Sequence, residues 1–337
     1  MSPPDVRPDL AALIGAALGR PVSVDERLAV ATSGGPDSLA LLSLAAAAFP
    51  GRVTALTVDH RLRAAAAAEA AGVAAQCAAR AIPHQTLVRE GPGFDSNVQA
   101  RARAARYELL GDWCVQHRHA LLLTAHHADD QAETLLMRLG RASASGGLAG
   151  IRAARPLRAD QPSGVMLVRP LLGCRKAALS AIAAAAGWQL VDDPANHDTR
   201  HDRTQARALL AANPALDAAA LAASAAHLAA DAQALAWAAD LAWAGRVRET
   251  DGRLAIDAGG LPAALVQRLL ARAVETLALE TLAGRPVRGS DIARLAARLG
   301  DGFSGTLAGV VARPGTIWQL SVTQPPQKGG KRPQNAA

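Results

Sequence analysis

The first half of the chain alternates short apolar runs with segments of helical character, and few folds accommodate that alternation. The apolar runs are Leu28–Ser33, Val53–Asp59, His84–Val88 and His119–His126. The helical segments that follow them are Asp37–Ala48, Ala64–Ala81, Asn97–His117 and Asp129–Leu139. Apolar strands separated by helices are typical of a parallel sheet that is covered on both faces. The sequence therefore predicts an α/β fold with a Rossmann-like parallel sheet and helices on both faces.

The predicted α/β domain continues beyond these elements. Arg141–Gly150 is rich in Gly, Ser and Ala, which is the composition of a mobile loop. The remaining predicted elements are strands over Ile151–Leu157 and Met166–Leu172, a helix over Arg175–Ala186, an acidic turn at Asp192–Asn196 and a short helix through Arg207.

The composition changes after Asn213-Pro214, and a smaller, mainly helical α+β unit is expected there. Its predicted elements are a long Ala-rich helix over Leu216–Ala244, a strand at Arg253–Ile256, a helix over Leu261–Leu279, a helix capped by Ser290-Asp291 that ends at Leu299, and a hairpin over Thr306–Val322. We therefore expect an N-terminal extension or helix (1–25), an α/β domain (26–213), a helical linker with a C-terminal domain (214–322) and a disordered tail (323–337).

The net charge of +7 and the sequence pI near 10.3 indicate a polyanionic partner such as nucleic acid. Nearly all the basic residues are arginines and alanine is abundant, however, and a coding bias toward Arg and Ala produces the same charge. The charge therefore supports a nucleic-acid partner without establishing one.

The cysteines and the apolar runs bear on the compartment. The three cysteines, Cys77, Cys114 and Cys174, are scattered and odd in number, which argues for a reducing compartment and against a disulfide framework. No apolar run is long enough to cross a bilayer, and the N-terminus lacks a secretory pattern. The expected location is the cytoplasm, with no membrane partner.

A short Gly-containing motif lies at the turn between the first strand and its helix, Ser33-Gly34-Gly35-Pro36-Asp37-Ser38. Unpaired N–H groups and the positive dipole end of a helix N-terminus bind phosphate, and glycines allow a close approach. Asp37 repels phosphate but suits Mg²⁺ that bridges phosphates. The alternative is a plain turn in which Asp or Ser caps the helix. The Gly-x-x-x-x-Gly-Lys-Ser/Thr loop of the usual kinases and GTPases is absent from the sequence.

A second polar cluster ends the fourth strand, His126-His127-Ala128-Asp129-Asp130-Gln131-Ala132-Glu133-Thr134. Ligands of parallel sheets gather at the carboxyl ends of the strands, so the acids of this cluster are expected to share a metal with Asp37. Adjacent acids at a helix start also complement the helix dipole without any further role.

Three further elements with charged side chains complete the candidate site. Asp59-His60 ends the second strand, Arg103 and Arg106 share one helix face, and Asp193-Pro194-Ala195-Asn196 is followed by Arg203 and Arg207. Arginine pairs suit phosphate recognition. Each element taken alone is more simply a solvated surface or connection.

Together these motifs resemble a known family. Ser33–Ser38 is similar to the loop of the N-type ATP pyrophosphatases, or PP-loop enzymes, which release pyrophosphate and leave AMP on an oxygen. The further motifs resemble the tRNA(Ile)-lysidine synthase family: Val-Asp-His-x-Leu-Arg at 58–63, Ala-Arg-x-x-Arg-Tyr at 102–107, Thr124–Thr134, Arg169-Pro170-Leu171-Leu172 and Asp193-Pro194-x-Asn196. One element departs, because Arg141-Ala142-Ser143-Ala144 stands where the family shows Arg-Gly-Ser-Gly.

The resemblance implies a substrate and a reaction. ATP would adenylate the 2-carbonyl oxygen of the wobble cytidine in an isoleucine tRNA with a CAU anticodon, and free lysine would then displace AMP. The implied catalytic residues are Asp37, Asp130 and Arg141. Asp37 and Asp130 are the implied Mg²⁺ ligands, with Asp129 as a substitute. ATP contacts are assigned to Ser33–Ser38, Asp59 and His60, and substrate contacts to Arg103, Arg106, His127, Asp129, Glu133, Asn196, Arg203 and Arg207.

Several points stay open at the level of sequence. The residue that takes the proton of lysine is His126, His127 or Glu133, and the oligomeric state is undetermined, a homodimer included. The alternative functions are a sulfur-inserting tRNA enzyme, an amide-forming ligase of the same superfamily and a tRNA-binding protein with an impaired site. The absence of a Cys-x-x-Cys pair counts against the first of these alternatives.

Overall fold

A computed structural model describes residues 7–61, 65–94, 96–158, 164–190, 202–282 and 287–322. The chain forms two compact units. The first comprises Met1–Ala142 with Gly147–Ala229, and the second comprises Ser143–Gly146 with Ala230–Ala337. The predicted tail, 323–337, and the predicted acidic turn, Asp192–Asn196, lie outside the described residues.

A six-stranded sheet forms the centre of the first unit. Its strands are β1 (Leu28–Ala31), β2 (Val53–Asp59), β3 (His84–Val88), β4 (Leu121–Leu123), β5 (Ala154–Pro156) and β6 (Met166–Val168). The order across the sheet is β3-β2-β1-β4-β6-β5. All neighbouring strands are parallel except β5, which pairs antiparallel with β6 at one edge. The predicted α/β fold is confirmed.

Helices precede, separate and follow these strands along the chain. They are α1 (Leu10–Leu18), α2 (Pro36–Ala48), α3 (Ala66–Ala78), α4 (Val98–Gln116), α5 (Ala128–Leu139), α6 (Ser145–Leu148), α7 (Lys176–Ala185), α8 (Asp202–Ala212) and α9 (Ala218–Arg246). Of these, α1, α2, α3, α4 and α7 pack on the sheet.

Alternate residues of the central strands serve two separate cores. Leu28 and Val30 of β1 pack in one core with α1, α2 and α7, whereas Ala29 and Ala31 pack in the other with Leu110 of α4. Successive side chains of a strand point to opposite faces, so a strand that is apolar at every position requires cover on both. The apolar runs of the sequence are uninterrupted because both faces of these strands are buried.

The N-terminal segment contributes to the first core. Helix α1 begins after Asp9, whose carboxylate accepts a hydrogen bond from the N–H of Ala12 at 3.0 Å. Leu10 and Ile14, one turn apart, are buried among residues of α2 and β1. The segment predicted from the sequence as an extension or helix therefore contributes a helix to the folded unit.

Helix α9 begins beyond the predicted domain boundary near 214, and the two compact units divide within it, after Ala229. Ala218, Ala222 and Ala225 are buried at helical spacing. Asp217, just before the helix, accepts a hydrogen bond from Arg175 at 2.8 Å. These contacts hold the first turns of α9 in the first unit.

The segment predicted as a mobile loop, Arg141–Gly150, contains the short helix α6, and its end is bound to α5. Gln131 donates to the carbonyl of Ile151 at 3.0 Å and accepts from its N–H at 2.6 Å. A Cβ on Gly150, which has φ 66°, would collide with the amide oxygen of Gln131. Arg138 also donates to the carbonyl of Gly150 at 2.8 Å, so side-chain hydrogen bonds hold the backbone at this end of the segment.

Ala142 occupies the left-handed region at φ 51°, where the resembled family carries glycine. A residue with a Cβ pays a steric cost there, so Ala142→Gly is expected to raise the free energy of unfolding by about 0.5–1 kcal/mol. Ala144→Gly is the control, because Ala144 has no positive φ and gains only flexibility. Thermal unfolding of both variants checks this: an equal effect of the two substitutions would contradict the strain at Ala142.

The second unit contains a five-stranded antiparallel sheet in the order β7-β8-β11-β10-β9. Its strands are β7 (Val247–Thr250), β8 (Arg253–Ile256), β9 (Gly305–Leu307), β10 (Val310–Arg313) and β11 (Trp318–Val322), and its further helices are α10 (Ala263–Leu277), α11 (Leu279–Leu282) and α12 (Gly289–Gly300). Apolar faces of α10 and α12 pack on the sheet. The predicted hairpin is therefore three strands.

The predicted cap of α12 is wrong. The helix begins at Gly289, its N-cap residue is Arg288, and no side chain caps it. Asp291 falls inside the first turn and lies 3.5 Å from the guanidinium of Arg294. A carboxylate at this place complements the helix dipole without acting as the N-cap. No helix among the described residues has the length and apolar character to cross a bilayer.

Candidate active site

The strand order reverses direction between β1 and β4. From β1 the chain builds outward through β2 and β3, and then returns to place β4 on the other side of β1. The loops that leave the carboxyl ends of β1 and β4 diverge at such a point and leave a crevice between them. The motif Ser33–Ser38 follows β1, and Thr124–His127 follows β4. The topology therefore brings the two chemically distinctive loops together.

The first loop leaves the start of α2 uncapped. Gly34 is left-handed at φ 83°, and Gly35 is the N-cap residue without a side-chain hydrogen bond. The hydroxyl of Ser38 accepts from the N–H of Ser33 at 3.1 Å and donates to the carbonyl of Gly35 at 2.9 Å. Ser38 thus stabilises the loop and does not cap the helix, so the alternative of a plain turn capped by Asp or Ser does not hold here. The N–H groups at the helix start remain available for an anion.

The second loop ends in a reciprocal cap of α5. His127 accepts a hydrogen bond at Nδ1 from the N–H of Asp130 at 3.4 Å, and the carboxylate of Asp130 accepts one from the N–H of His127 at 3.1 Å. The imidazole takes the part that Ser or Thr plays in a capping box. This arrangement fixes Asp130 at the mouth of the crevice.

Three carboxylates surround His127. Its Nε2 lies 3.6 Å from an oxygen of Asp37 and 3.6 Å from one of Asp130, and its Nδ1 lies 3.5 Å from Asp129. Burial acts to lower the pKa of His127, but the hydrogen bond to Asp37 and the negative charges of all three acids outweigh it and raise the pKa. The other carboxylate oxygen of Asp37 is buried without a hydrogen-bond partner among the described residues.

His126 has the opposite environment. It is hydrogen-bonded through Nδ1 to the hydroxyl of Thr124 at 3.0 Å. Burial, together with positive charge from Arg169, Arg103, Arg203 and Arg106, holds its pKa well below the usual range. Two adjacent histidines therefore prefer different protonation states, because one faces acids and the other faces arginines.

The crevice is a cavity of about 570 Å³. Most predicted site residues line it: Ser33, Gly35, Pro36, Asp37, Ser38, His60, Arg103, Arg106, His127, Asp130, Arg203 and Arg207. The predicted helix face of Arg103 and Arg106 thus meets the loops from β1 and β4. The hydroxyl of Tyr107 extends the same face and accepts a hydrogen bond from Arg103 at 3.4 Å.

Other predicted site residues lie outside this lining. Asp59 is buried and accepts a hydrogen bond from the N–H of Arg61 at 2.8 Å, so it shapes the turn after β2. The carboxylate of Asp129 accepts from the N–H of Lys176 at 2.8 Å and from Arg175 at 3.4 Å, which joins it to the start of α7. Gly34 and Arg141 do not line the cavity, and Asn196 lies outside the described residues.

Glu133 stands behind the cavity wall. It is 2% exposed, and one carboxylate oxygen accepts a hydrogen bond from Nε of Arg207 at 2.8 Å. The second oxygen is buried without a partner among the described residues. The hydrogen bond with Glu133 raises the pKa of Arg207. Helix α8 is thereby held to α5, and Arg207 faces the cavity.

Several lining residues carried no assigned role in the sequence analysis. They are Ala31, Gln99, Ala102, Tyr107, Thr124, Ala125 and Lys176. The lining residues of α4 follow the helical spacing of Arg103 and Arg106, so extension of that face would have found Gln99 and Tyr107. Lys176 follows the motif Arg169-Pro170-Leu171-Leu172 by four residues, and the basic pair Arg175-Lys176 at a helix start is a further local signal for it.

Comparison with known proteins agrees with this geometry. The family model of the PP-loop domain matches residues 9–213. A tRNA(Ile)-lysidine synthase of Zymomonas mobilis is 39% identical over 303 residues, 90% of this chain and 90% of that protein. One of Novosphingobium aromaticivorans is 44% identical over 309 residues, 91% and 92% of the two chains. The solved U34-tRNA thiolase NcsA from Methanococcus maripaludis has a TM-score of 0.53 and 15% identity, covers 65% of this chain and 78% of that one, and shows the fold alone. The chain belongs to the PP-loop family and, within it, to the tRNA(Ile)-lysidine synthases.

Proposed function

We propose that the protein ligates free lysine to the wobble cytidine of an isoleucine tRNA with a CAU anticodon. The cytosine 2-carbonyl oxygen attacks the α-phosphate of ATP, and pyrophosphate leaves. The ε-amine of lysine then attacks C2, the C2–O bond breaks, and AMP leaves with the oxygen. The supporting observation is that a single cavity combines residues of the Ser33–Ser38 loop with two carboxylates and four arginines.

Adenylation is needed because a carbonyl oxygen is a poor leaving group and AMP is a good one. In the proposed binding mode, the uncapped start of α2 and the hydroxyl of Ser33 hold the triphosphate. His60 lines the same cavity and completes the ATP side. We assign Gly34 and Asp59 to shaping the loop and the turn, since neither lines the cavity.

The residues present suit Mg²⁺. The described residues contain no group of three or more His, Cys, Asp or Glu side chains arranged to hold a metal. Magnesium in ATP enzymes commonly uses only one or two carboxylates, with phosphates and water as the other ligands. Asp37 and Asp130 line the cavity, and Asp37 has a buried oxygen without a partner. We propose that these two hold Mg²⁺, which when bound offsets the charge of the departing pyrophosphate. Asp129 is less suited, because its carboxylate is bound to α7.

The basic side of the cavity suits the other substrates. Arg103, Arg106, Arg203 and Arg207 line it together, and guanidinium groups bind phosphate and carboxylate in a planar, bidentate manner. We propose that they contact RNA phosphates and the carboxylate of lysine. Glu133 acts through Arg207, which it holds in the wall. On the resemblance of their motifs, we retain Arg141 as a catalytic residue and Asn196 as a substrate contact.

The attacking lysine must first lose its ammonium proton. Of the three candidates, His126 and His127 both line the cavity. The lowered pKa of His126 keeps its imidazole neutral, so it has a nitrogen free to take a proton, although the same shift makes it a weaker base. His127 is surrounded by acids that favour its protonated form, and Glu133 is bound to Arg207. We therefore propose His126 as the proton acceptor.

Two alternative chemistries fit the site less well. A sulfur-inserting reaction uses reactive thiolates, but burial raises the pKa of Cys77 to about 11 and that of Cys114 to about 12, and burial also raises the pKa of Cys174. An amide-forming ligase has no use for a wall of four arginines beside the phosphate loop. An impaired tRNA-binding protein would not need the carboxylates that the cavity retains.

The proposed partners follow from this reaction: ATP, Mg²⁺, free lysine and the tRNA, whose body we assign to the C-terminal unit. We place the reaction in the cytoplasm, in keeping with three free cysteines. The oligomeric state is left open, a homodimer included.

Lysine incorporation tests the proposed function. The full chain is incubated with labelled lysine, ATP, Mg²⁺ and a transcript of the CAU-anticodon isoleucine tRNA, and the label is expected in the RNA with release of one AMP and one pyrophosphate per lysine. The control transcript carries uridine in place of the wobble cytidine. Incorporation no greater than into this control would refute the proposal.

A further inference from the structure

We propose that Lys176 binds the pyrophosphate part of ATP and that Asp129 is the residue that positions it. This inference rests on the proposed ATP-dependent function and adds a phosphate contact to it. Lys176 is the first residue of α7, and it lines the same cavity as the Ser33–Ser38 loop although the two are far apart in sequence.

The composition of the chain singles out this residue. Its three lysines are Lys176, Lys328 and Lys331, so Lys176 is the one lysine that precedes the C-terminal tail. Apart from the histidines, all the other basic side chains before the tail are arginines, in agreement with a coding bias toward Arg. A lysine at the cavity therefore indicates a need for a compact ammonium, which binds phosphate as a point charge where a planar guanidinium requires more room.

Asp129 fixes the start of α7 from another helix. Arg175 is the N-cap residue of α7, and no side chain caps the helix in the usual way. The carboxylate of Asp129 instead accepts from the backbone N–H of Lys176 at 2.8 Å. That hydrogen bond and the neighbouring Arg175 help to lower the pKa of Asp129 against the opposing effect of its burial. The residue that sequence alone suggests as a metal ligand thus determines where the backbone of Lys176 lies.

The ammonium of Lys176 is available for a ligand. Among the described residues, none of the ion pairs involves it, and the residue is exposed. Asp37 and Asp130 line the same cavity, so a Mg²⁺–triphosphate bound to them would bring negative charge into reach of Lys176. Three anions could bind the ammonium of Lys176: the pyrophosphate part of ATP, a phosphate of the RNA and the carboxylate of lysine. Binding and kinetic measurements separate them.

Binding measurements without RNA test the assignment. The full chain and its Lys176→Gln variant are titrated by calorimetry with Mg²⁺–ATP, with pyrophosphate and with AMP. We expect Lys176→Gln to weaken the binding of ATP and of pyrophosphate by about 10- to 100-fold, the range of a charge-assisted hydrogen bond, and to leave AMP binding unchanged. In lysine incorporation, the KM for ATP should rise while the KM values for RNA and lysine stay within about 2-fold.

Matched variants separate this role from a general loss of charge. Arg27→Gln removes one exposed positive charge at the amino end of β1, the opposite edge of the sheet, and should bind all three ligands as the wild type does. Lys176→Arg should lie between wild type and Lys176→Gln. Asp129→Ala should weaken pyrophosphate binding. The double variant with Asp129→Ala and Lys176→Gln should bind pyrophosphate no more weakly than Lys176→Gln alone.

The possible outcomes test the assignment of Lys176 separately from the proposed function. Unchanged pyrophosphate binding in Lys176→Gln, an equal loss of AMP binding, or a defect confined to the KM for RNA or lysine would each overturn the assignment, even where wild-type protein incorporates lysine. Full activity of Lys176→Arg would overturn the need for a compact ammonium. Wild-type protein that binds pyrophosphate through Lys176 but incorporates no lysine would refute the proposed function and leave this contact standing.

Discussion

Asp37→Asn is expected to slow pyrophosphate release by at least about 100-fold, while tRNA retention stays within about 2-fold of wild type. The substitution keeps the volume of the side chain and removes its charge. In the structure one oxygen of Asp37 faces His127 at 3.6 Å and the other is buried without a partner among the described residues. An amide cannot offset the charge of a divalent cation, so the defect should lie in the chemical step.

The measurement is pyrophosphate release in a coupled assay, with filter binding of labelled tRNA alongside it. Asp112→Asn serves as the matched control, because Asp112 is an exposed carboxylate paired with Arg158 and does not line the cavity. Wild-type release by Asp37→Asn would remove Asp37 from the reaction. A loss of tRNA retention equal to the loss of release would instead indicate damage to the whole site.

Arg207→Ala is expected to destabilise the first unit by about 2 kcal/mol. It leaves the carboxylate of Glu133, which is 2% exposed, buried without its partner. Removal of one member of a fully buried ion pair costs about 3–5 kcal/mol, but the Arg207 side chain is 46% exposed, and solvent screens part of the interaction. The same change opens the basic wall of the cavity, so lysine incorporation should fall as well.

Urea unfolding measures the cost, and hydrogen exchange of α5 and α8 shows where it falls. Addition of Glu133→Gln to Arg207→Ala should restore about half of the lost stability, because it removes the unpaired buried charge. Arg158→Ala is the control: its partner Asp112 is 67% exposed and stays hydrated, so the unfolding midpoint should shift far less. Equal shifts for Arg207→Ala and Arg158→Ala would mean that Glu133 is not held as described.

The apolar pattern was sufficient to predict most of the fold, and its failures have local causes. The strands Val53–Asp59 and His84–Val88 have their predicted bounds. The predicted strand His119–His126 is reduced to Leu121–Leu123, because Thr124 and the residues after it leave the sheet to line the cavity. Val247–Thr250 was missed because a short polar strand that follows α9 directly shows no apolar alternation.

For the site, the sequence predicted which motifs meet but not how neighbouring residues divide their tasks. Asp129 and Asp130 are equivalent in sequence, yet one joins α7 and the other faces the cavity. Glu133 and Arg207 carry opposite charge at a distance in the chain, and only the fold pairs them. The position of Lys176 at the cavity depends on where α7 lies after β6, and no local sequence pattern predicts that.

Helix α5 has consequences for how this enzyme can change over time. Within a few residues it carries Asp130 at the cavity and uses Asp129, Gln131 and Glu133 to bind α7, the segment at Ile151 and α8. Substitutions there alter chemistry and architecture at once, so few paths of single mutations lead away from the present helix. We therefore expect α5 to be the constant part of this scaffold, and new substrate preferences to arise on other cavity-lining elements.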